Sequence, residues 1–200
     1  MRGDDFSAWK NPCYSKAFND VKIAFAWNEN RPFVDALVED DHFENANAGF
    51  YTWNGDSLQL ALAGTVLEKP SANNLRDLRA EAYTEHTIAL TPQGSAVYRT
   101  VTFDPDRLPG GVNGEGSVSA ADVPRVVEKI PRAGGGVTIR YRAAFPWRFL
   151  GRSAPTAGES VWFAACVNDR DPGVEPIAQR HIFGFKAAAP KRFGRIILSE

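Results

Sequence analysis

Trp53 opens the stretch of this chain with the clearest chemical potential, Tyr51–Gly64, YTWNGDSLQLALAG. The indole precedes a turn, Asn54-Gly55-Asp56, and then a period-two run. In that run Leu58, Leu60 and Leu62 share one face, and Ser57, Gln59 and Ala61 share the other. A large flat ring in a loop at the rim of a strand is hard to bury completely, and its face can stack on the C–H groups of a sugar; the alternative is that it folds back over the core edge. Sugar hydroxyls would also need polar side chains, and Gln59, His86, Arg99, Arg140 and Arg142 are the candidates. Arg140 and Arg142 alternate with Ile139 and Tyr141, so they share a polar face that suits a solvated charged surface better than a ligand contact. His86, in YTEHTIAL, could point to either side of its strand.

Other chemistries find less support. Catalysis by paired carboxylates needs two acids held about 5–10 Å apart, one of them shielded. The acids cluster instead in Glu39-Asp40-Asp41 and Asp169-x-Asp171, both in turns where solvation is the default. No G-x-S-x-G, H-E-x-x-H or glycine-rich phosphate loop occurs, and Gly134-Gly135-Gly136 reads as a hairpin tip with no helix behind it. The chain therefore reads as a binding protein rather than an enzyme. Asp40, Asp41, Asn168, Asp169 and Asp171 are oxygen donors of the kind Ca²⁺ takes, but their spacing alone does not show a site, and the metal stays unassigned.

Composition narrows the class. With 23 basic and 24 acidic residues, the near-zero net charge argues against a nucleic-acid platform. No apolar run approaches the length of a membrane span. The start, MRGDDFSAW, lacks the apolar segment of a signal peptide. Cys13 and Cys166 have no metal-binding spacing; a disulfide between them is open, though Cys166 inside VWFAACV reads as a small buried residue.

The elements that must position these residues are short strands. Val21–Trp27 and Phe33–Glu39 form a hairpin around Asn28-Glu29-Asn30, and Trp27, in strand alternation, belongs to the core. Tyr83–Leu90 and Ala96–Phe103 flank Thr91-Pro92-Gln93-Gly94, and Arg125–Ile130 pairs with Val137–Phe145. Val161–Val167 is a near-continuous apolar strand, expected to be central, and Arg195–Leu198 closes the chain. LRDLRAEA could form a helical turn, Trp9 plugs one end of the core, and Asp104–Gly116 is a loop. Many short strands with little helical periodicity predict one all-β domain over 1–200, an antiparallel β-sandwich.

Several segments in order resemble the family 9 carbohydrate-binding modules, immunoglobulin-like β-sandwiches in the wider group that includes DOMON domains. The opening W-x-x-P, the hairpin VKIAFAWNENRPFVDALVEDDHF, WNGDSLQLAL, YRAAFPW, VWFAACVNDRDP and the terminal PKRFGRIIL carry the likeness. The resemblance implies a jelly-roll-like fold and binding of a mono-, oligo- or polysaccharide. It further implies a covalently linked glycan-degrading domain and an extracellular or periplasmic setting within a larger protein, with no nucleic-acid or membrane partner. Trp53 matches the first of two sugar-sandwiching aromatics, and Gln59 stands where the family often has a sugar-bonding carboxylate. Phe185, with Phe183 behind it, is the candidate for the second aromatic, smaller than the usual Trp and offset in spacing. Asp56 and Ser57 match the motif and read better as turn residues than as ligand contacts. Relatives often carry structural calcium, which leaves the acidic turns open to it; no other cofactor is implied. Haem held by Met and His, as in some DOMON relatives, is excluded because Met1 is the single methionine. The alternative function is a structural or protein-interaction sandwich that has lost its sugar site.

Overall fold

The computed structural model describes residues 15–16, 20–64, 83–102, 116–150, 152–183, 185 and 193–199. Twelve strands run β1 (Ser15–Lys16), β2 (Val21–Trp27), β3 (Pro32–Asp40), β4 (Ser57–Ala63), β5 (Tyr83–Thr91) and β6 (Gly94–Thr102), then β7 (Gly116–Ser117), β8 (Arg125–Pro131), β9 (Val137–Ala144), β10 (Ser160–Asp169), β11 (Ala178–Ile182) and β12 (Gly194–Ile197). Among the described residues two 3-10 turns, Gly49–Asn54 and Trp147–Leu150, interrupt them. Strands β1-β2-β3-β9-β8 make one sheet; β11-β10-β4-β5-β6-β7 make the other, with β12 also on β10. Every pairing among the described strands is antiparallel. The expected antiparallel sandwich is the observed one.

Alternation decides which residues enter the space between the sheets, because successive side chains on a strand point to opposite faces. Val21, Ile23, Val34, Ala36, Ile139 and Tyr141 come from the first sheet, and Leu58, Leu60, Leu62, Ile88, Val97 and Val167 from the second. Leu58 and Leu60 are fully buried, each worth roughly 1.5–3 kcal/mol of transfer free energy. Trp27 packs against this core, edge-on to Trp147, and its indole N–H reaches the carbonyl of Ser199.

The outer face of the seven-stranded sheet carries a second apolar cluster. Ala61 and Ala63 of β4, Tyr83 of β5, and Ala164 and Cys166 of β10 meet Phe185 and Phe193 there, with Trp162 packed alongside. Cys166 is thus buried, its thiol close to Asn168 Oδ1.

Strand β10 is central, as expected, flanked on one side by β4 and on the other by β11 and β12 in succession. Two features depart from the sequence expectation. Strand β11 has no apolar alternation in AQRHI; it is recruited through main-chain pairing to β10, which the side-chain pattern does not reveal. The segment around Trp53 is a 3-10 turn rather than an open loop. The LRDLRAEA turn, Trp9, Cys13 and most of the 104–116 loop lie outside the described residues.

Candidate functional site

A row of polar side chains crosses the outer face of the seven-stranded sheet. It exists because β4 places Ser57 and Gln59 on the face opposite its leucines, and β10 places Asn168 beside them in register with Ser57. Asn168 Nδ2 donates to Ser57 Oγ (3.0 Å) and to Gln59 Oε1 (3.1 Å), while Gln179 Nε2 donates to Asn168 Oδ1 (2.8 Å). On the other side Gln59 Nε2 points toward Glu85 Oε1 at 3.5 Å, and Thr100 Oγ1 donates to the Glu85 backbone carbonyl at 3.2 Å and approaches its carboxylate at 3.4 Å. The row therefore spans β11, β10, β4, β5 and β6. Burial raises the Glu85 carboxyl to about 7, with the Thr100 hydroxyl pulling the other way. A carboxyl poised there can act as donor or acceptor toward a ligand hydroxyl.

Aromatic residues stand near both ends of β4. Trp53 lies in the 3-10 turn just before it, partly buried, with its carbonyl 3.5 Å from Ser57 Oγ. Phe50 and Tyr51 of the same turn are exposed, and Phe50 meets the ring of Tyr98 on β6 at 6.3 Å. Toward the far end of β4 lie Phe185, Trp162 and His181, with the His181 and Phe185 rings 6.1 Å apart.

No protein-family model matches the sequence, and no curated protein does. Solved structures match at the level of fold. A family 9 carbohydrate-binding module from Caldicellulosiruptor kristjanssonii in complex with glucose aligns with a TM-score of 0.54 at 18% identity, over 100% of this chain and 90% of that chain. A module of that family from the same organism, in complex with cellotriose, aligns with a TM-score of 0.51 at 19% identity, over 94% of this chain and 80% of that one. The fold is that of a family 9 carbohydrate-binding module.

Within this module fold, the candidate residues from the sequence separate. Gln59 joins the polar row, and Trp53 lies in the turn that leads into β4, its backbone carbonyl close to Ser57. His86 does not: the alternation of β5 turns it inward, fully buried, with Phe145 at 4.8 Å and Phe149 stacked at 5.9 Å. Burial, helped by the charge of Arg99, pushes its pKa down to about 3, so it is a neutral core residue at pH 7. Arg99 lies over the ring of Phe149, 5.6 Å from its centre, rather than on the Gln59 face. Arg140 and Arg142 belong to β9 of the other sheet. Arg140 forms a bidentate pair with fully buried Asp35, and Arg142 pairs with Glu128 at 2.7 Å. These four corrections share a reason: strand alternation assigns a face only once the sheet containing the strand is known.

The two phenylalanines also part. Phe185 is 8% exposed, packed into the outer cluster, and leaves little ring area for a ligand. Phe183, at φ 53°, is 54% exposed and turns instead toward Phe163 of the inner core, lying over Gly194. Glu85, Asn168 (read from the sequence only as a possible calcium donor) and Gln179 are the row members not picked out as sugar contacts. Alternation in YTEHTIAL could have found Glu85, since placing His86 and Ile88 inward sets Glu85 outward.

Asp56 holds the turn that carries Trp53. Its carboxylate accepts the backbone N–H groups of Glu44 and of Arg170 (2.9 Å), tying the segment before Trp53 to the end of β10. Burial raises its pKa to about 7, with Asp40 and Asp169 adding like charge. Burial and neighbouring acids likewise raise Asp40 and Asp169. Among the described residues no three His, Cys, Asp or Glu groups converge to hold a metal, and the Asp56 carboxylate is taken by amides.

Proposed function

We propose that this chain is a non-catalytic carbohydrate-binding module that takes a sugar on the outer face of its seven-stranded sheet. In this reading the Trp53 ring stacks on one pyranose face, Glu85, the partly exposed carboxyl of the row, and Gln59 bond its hydroxyls, and the buried Asn168 amide holds Gln59 in place from behind. The observation that carries it is the polar row itself: five strands align mutually bonded amide and carboxyl groups across one sheet face, and the turn that holds the partly buried Trp53 leads directly into β4. Glucose and cellotriose bound by proteins of the same fold support a glucose-type ligand. Attachment to a glycan-degrading domain, outside the cell or in the periplasm, belongs to the same proposal.

The burial of Phe185 favours a second reading, a structural or protein-interaction sandwich, because it removes the second stacking wall. Calorimetric titration of glucose, cellotriose and a glycan array separates the two. The sugar-binding reading expects wild type to bind and Trp53→Ala to lose binding with unchanged melting. Wild type binding no glycan leaves the structural reading.

A further inference from the structure

A cavity of about 240 Å³ lies at the open end of the sandwich, between the Gly49–Asn54 turn, the β5–β6 hairpin, β7 and β8. Thr52, Gln93, Ser95, Tyr98, Ser117 and Arg125 are among its walls, and Trp53, Gln59 and Glu85 are not. Its size suits one sugar ring rather than a chain.

Arg125 decides its character. The guanidinium is partly buried, and its two hydrogen bonds go to neutral carbonyls: Nε to Ser95 O at 3.2 Å and Nη1 to Val123 O at 3.3 Å. Burial lowers its pKa, and no carboxylate among the described residues offsets that. The other arginines that form ion pairs here, such as Arg148 with Asp122 and Arg152 with Glu159, have an acid beside them. A partly buried guanidinium with no acid beside it among the described residues, at the wall of an open cavity, can receive an anion, and its planar fork matches a carboxylate. Around it the side chains of Gln93, Tyr98 and Ser117 make no hydrogen bond with described residues, so their polar atoms face the cavity's occupant or solvent.

We propose that this cavity, which adjoins the outer face through Tyr98 and the Gly49–Asn54 turn but is not lined by Trp53, Gln59 or Glu85, is a second ligand site that takes a sugar acid. The carboxylate sits on the remaining edge of the Arg125 guanidinium, the ring hydroxyls meet Gln93 and Ser117, and Tyr98 flanks the ring.

The test titrates sodium glucuronate, glucose and sodium sulfate into the full chain, with binding followed by calorimetry and folding by thermal melting. Glucuronate is expected to bind wild type and Trp53→Ala alike, and to bind Arg125→Gln at least about tenfold more weakly, while Arg125→Lys keeps part of the affinity. Ser117→Phe fills the cavity while leaving the guanidinium in place, and is expected to weaken glucuronate equally; it decides the matter if Arg125→Gln fails to fold. The proposal is overturned if wild type does not bind glucuronate, if Ser117→Phe binds it unchanged, or if Trp53→Ala abolishes binding, which would move the acid to the outer face. Sulfate competing as well as glucuronate would reduce the site to a bare anion site and also overturn it. Glucose binding tests the outer face alone, so the two readings fail separately.

Discussion

Asn168, 1% exposed at the end of β10, bonds Ser57 Oγ and Gln59 Oε1 with the same side-chain nitrogen, 111 and 109 residues away in sequence. Its oxygen accepts from Gln179, so one buried amide joins three strands and orients Gln59. Buried polar groups are worth most when fully partnered, and each orphaned partner carries a desolvation penalty.

Replacing Asn168 by Leu leaves Ser57, Gln59 and Gln179 without this partner. The expected loss is about 2–3 kcal/mol in urea unfolding. Sugar affinity should fall as well, since Gln59 loses its fixed orientation; an unchanged midpoint would contradict the buried network.

Asp56→Ala removes the acceptor for two backbone amides and frees the segment that carries Trp53 from Arg170. A loss of about 1–3 kcal/mol is expected. Glucose affinity should weaken even at temperatures where the domain stays folded, and protease cleavage between 41 and 56 should become faster.

Glu85 sets a pH dependence. Burial raises its pKa from 4.5 to about 7, so the native state keeps a proton that the unfolded chain releases. The stabilising contribution is complete below about pH 4.5 and is lost as pH rises toward 7. Glu85→Gln lacks that loss, so between pH 5 and pH 8 its midpoint should fall less than wild type's. The carboxylate is the better acceptor for a sugar hydroxyl, so wild-type affinity should rise through about pH 7 and the mutant's should stay flat.

His86 acts on the acid side. Its two ring nitrogens are buried with no hydrogen-bond partner among the described residues, and its pKa falls from 6.5 to about 3. The stability held by the neutral ring is present above about pH 6.5 and lost as pH falls toward 3. His86→Leu removes two unsatisfied polar atoms, and should raise stability at pH 7 by about 1 kcal/mol and flatten the decline from pH 6 to pH 4. Sugar binding should be unchanged, because the ring lies between the sheets.

Period-two runs such as Val21–Trp27 and Ser57–Ala63 determined the strands, and turn residues such as Thr91-Pro92-Gln93-Gly94 determined where they end; these local signals were enough for an antiparallel sandwich. The inward leucines of β4 were legible for the same reason, and so was the turn role of Asp56. Alternation says that two faces differ, but not which sheet a strand joins or what covers each face. Only the tertiary structure put Arg140 beside Asp35 on the other sheet, turned His86 inward against Phe145, and brought Asn168 to Gln59. It also set Arg125, bonded only to neutral carbonyls among the described residues, at the wall of a cavity and packed Phe185 onto the alanines of β4 and β10. Each of these depends on contacts between residues far apart in sequence, whose energies come from burial and from partners that no local pattern encodes.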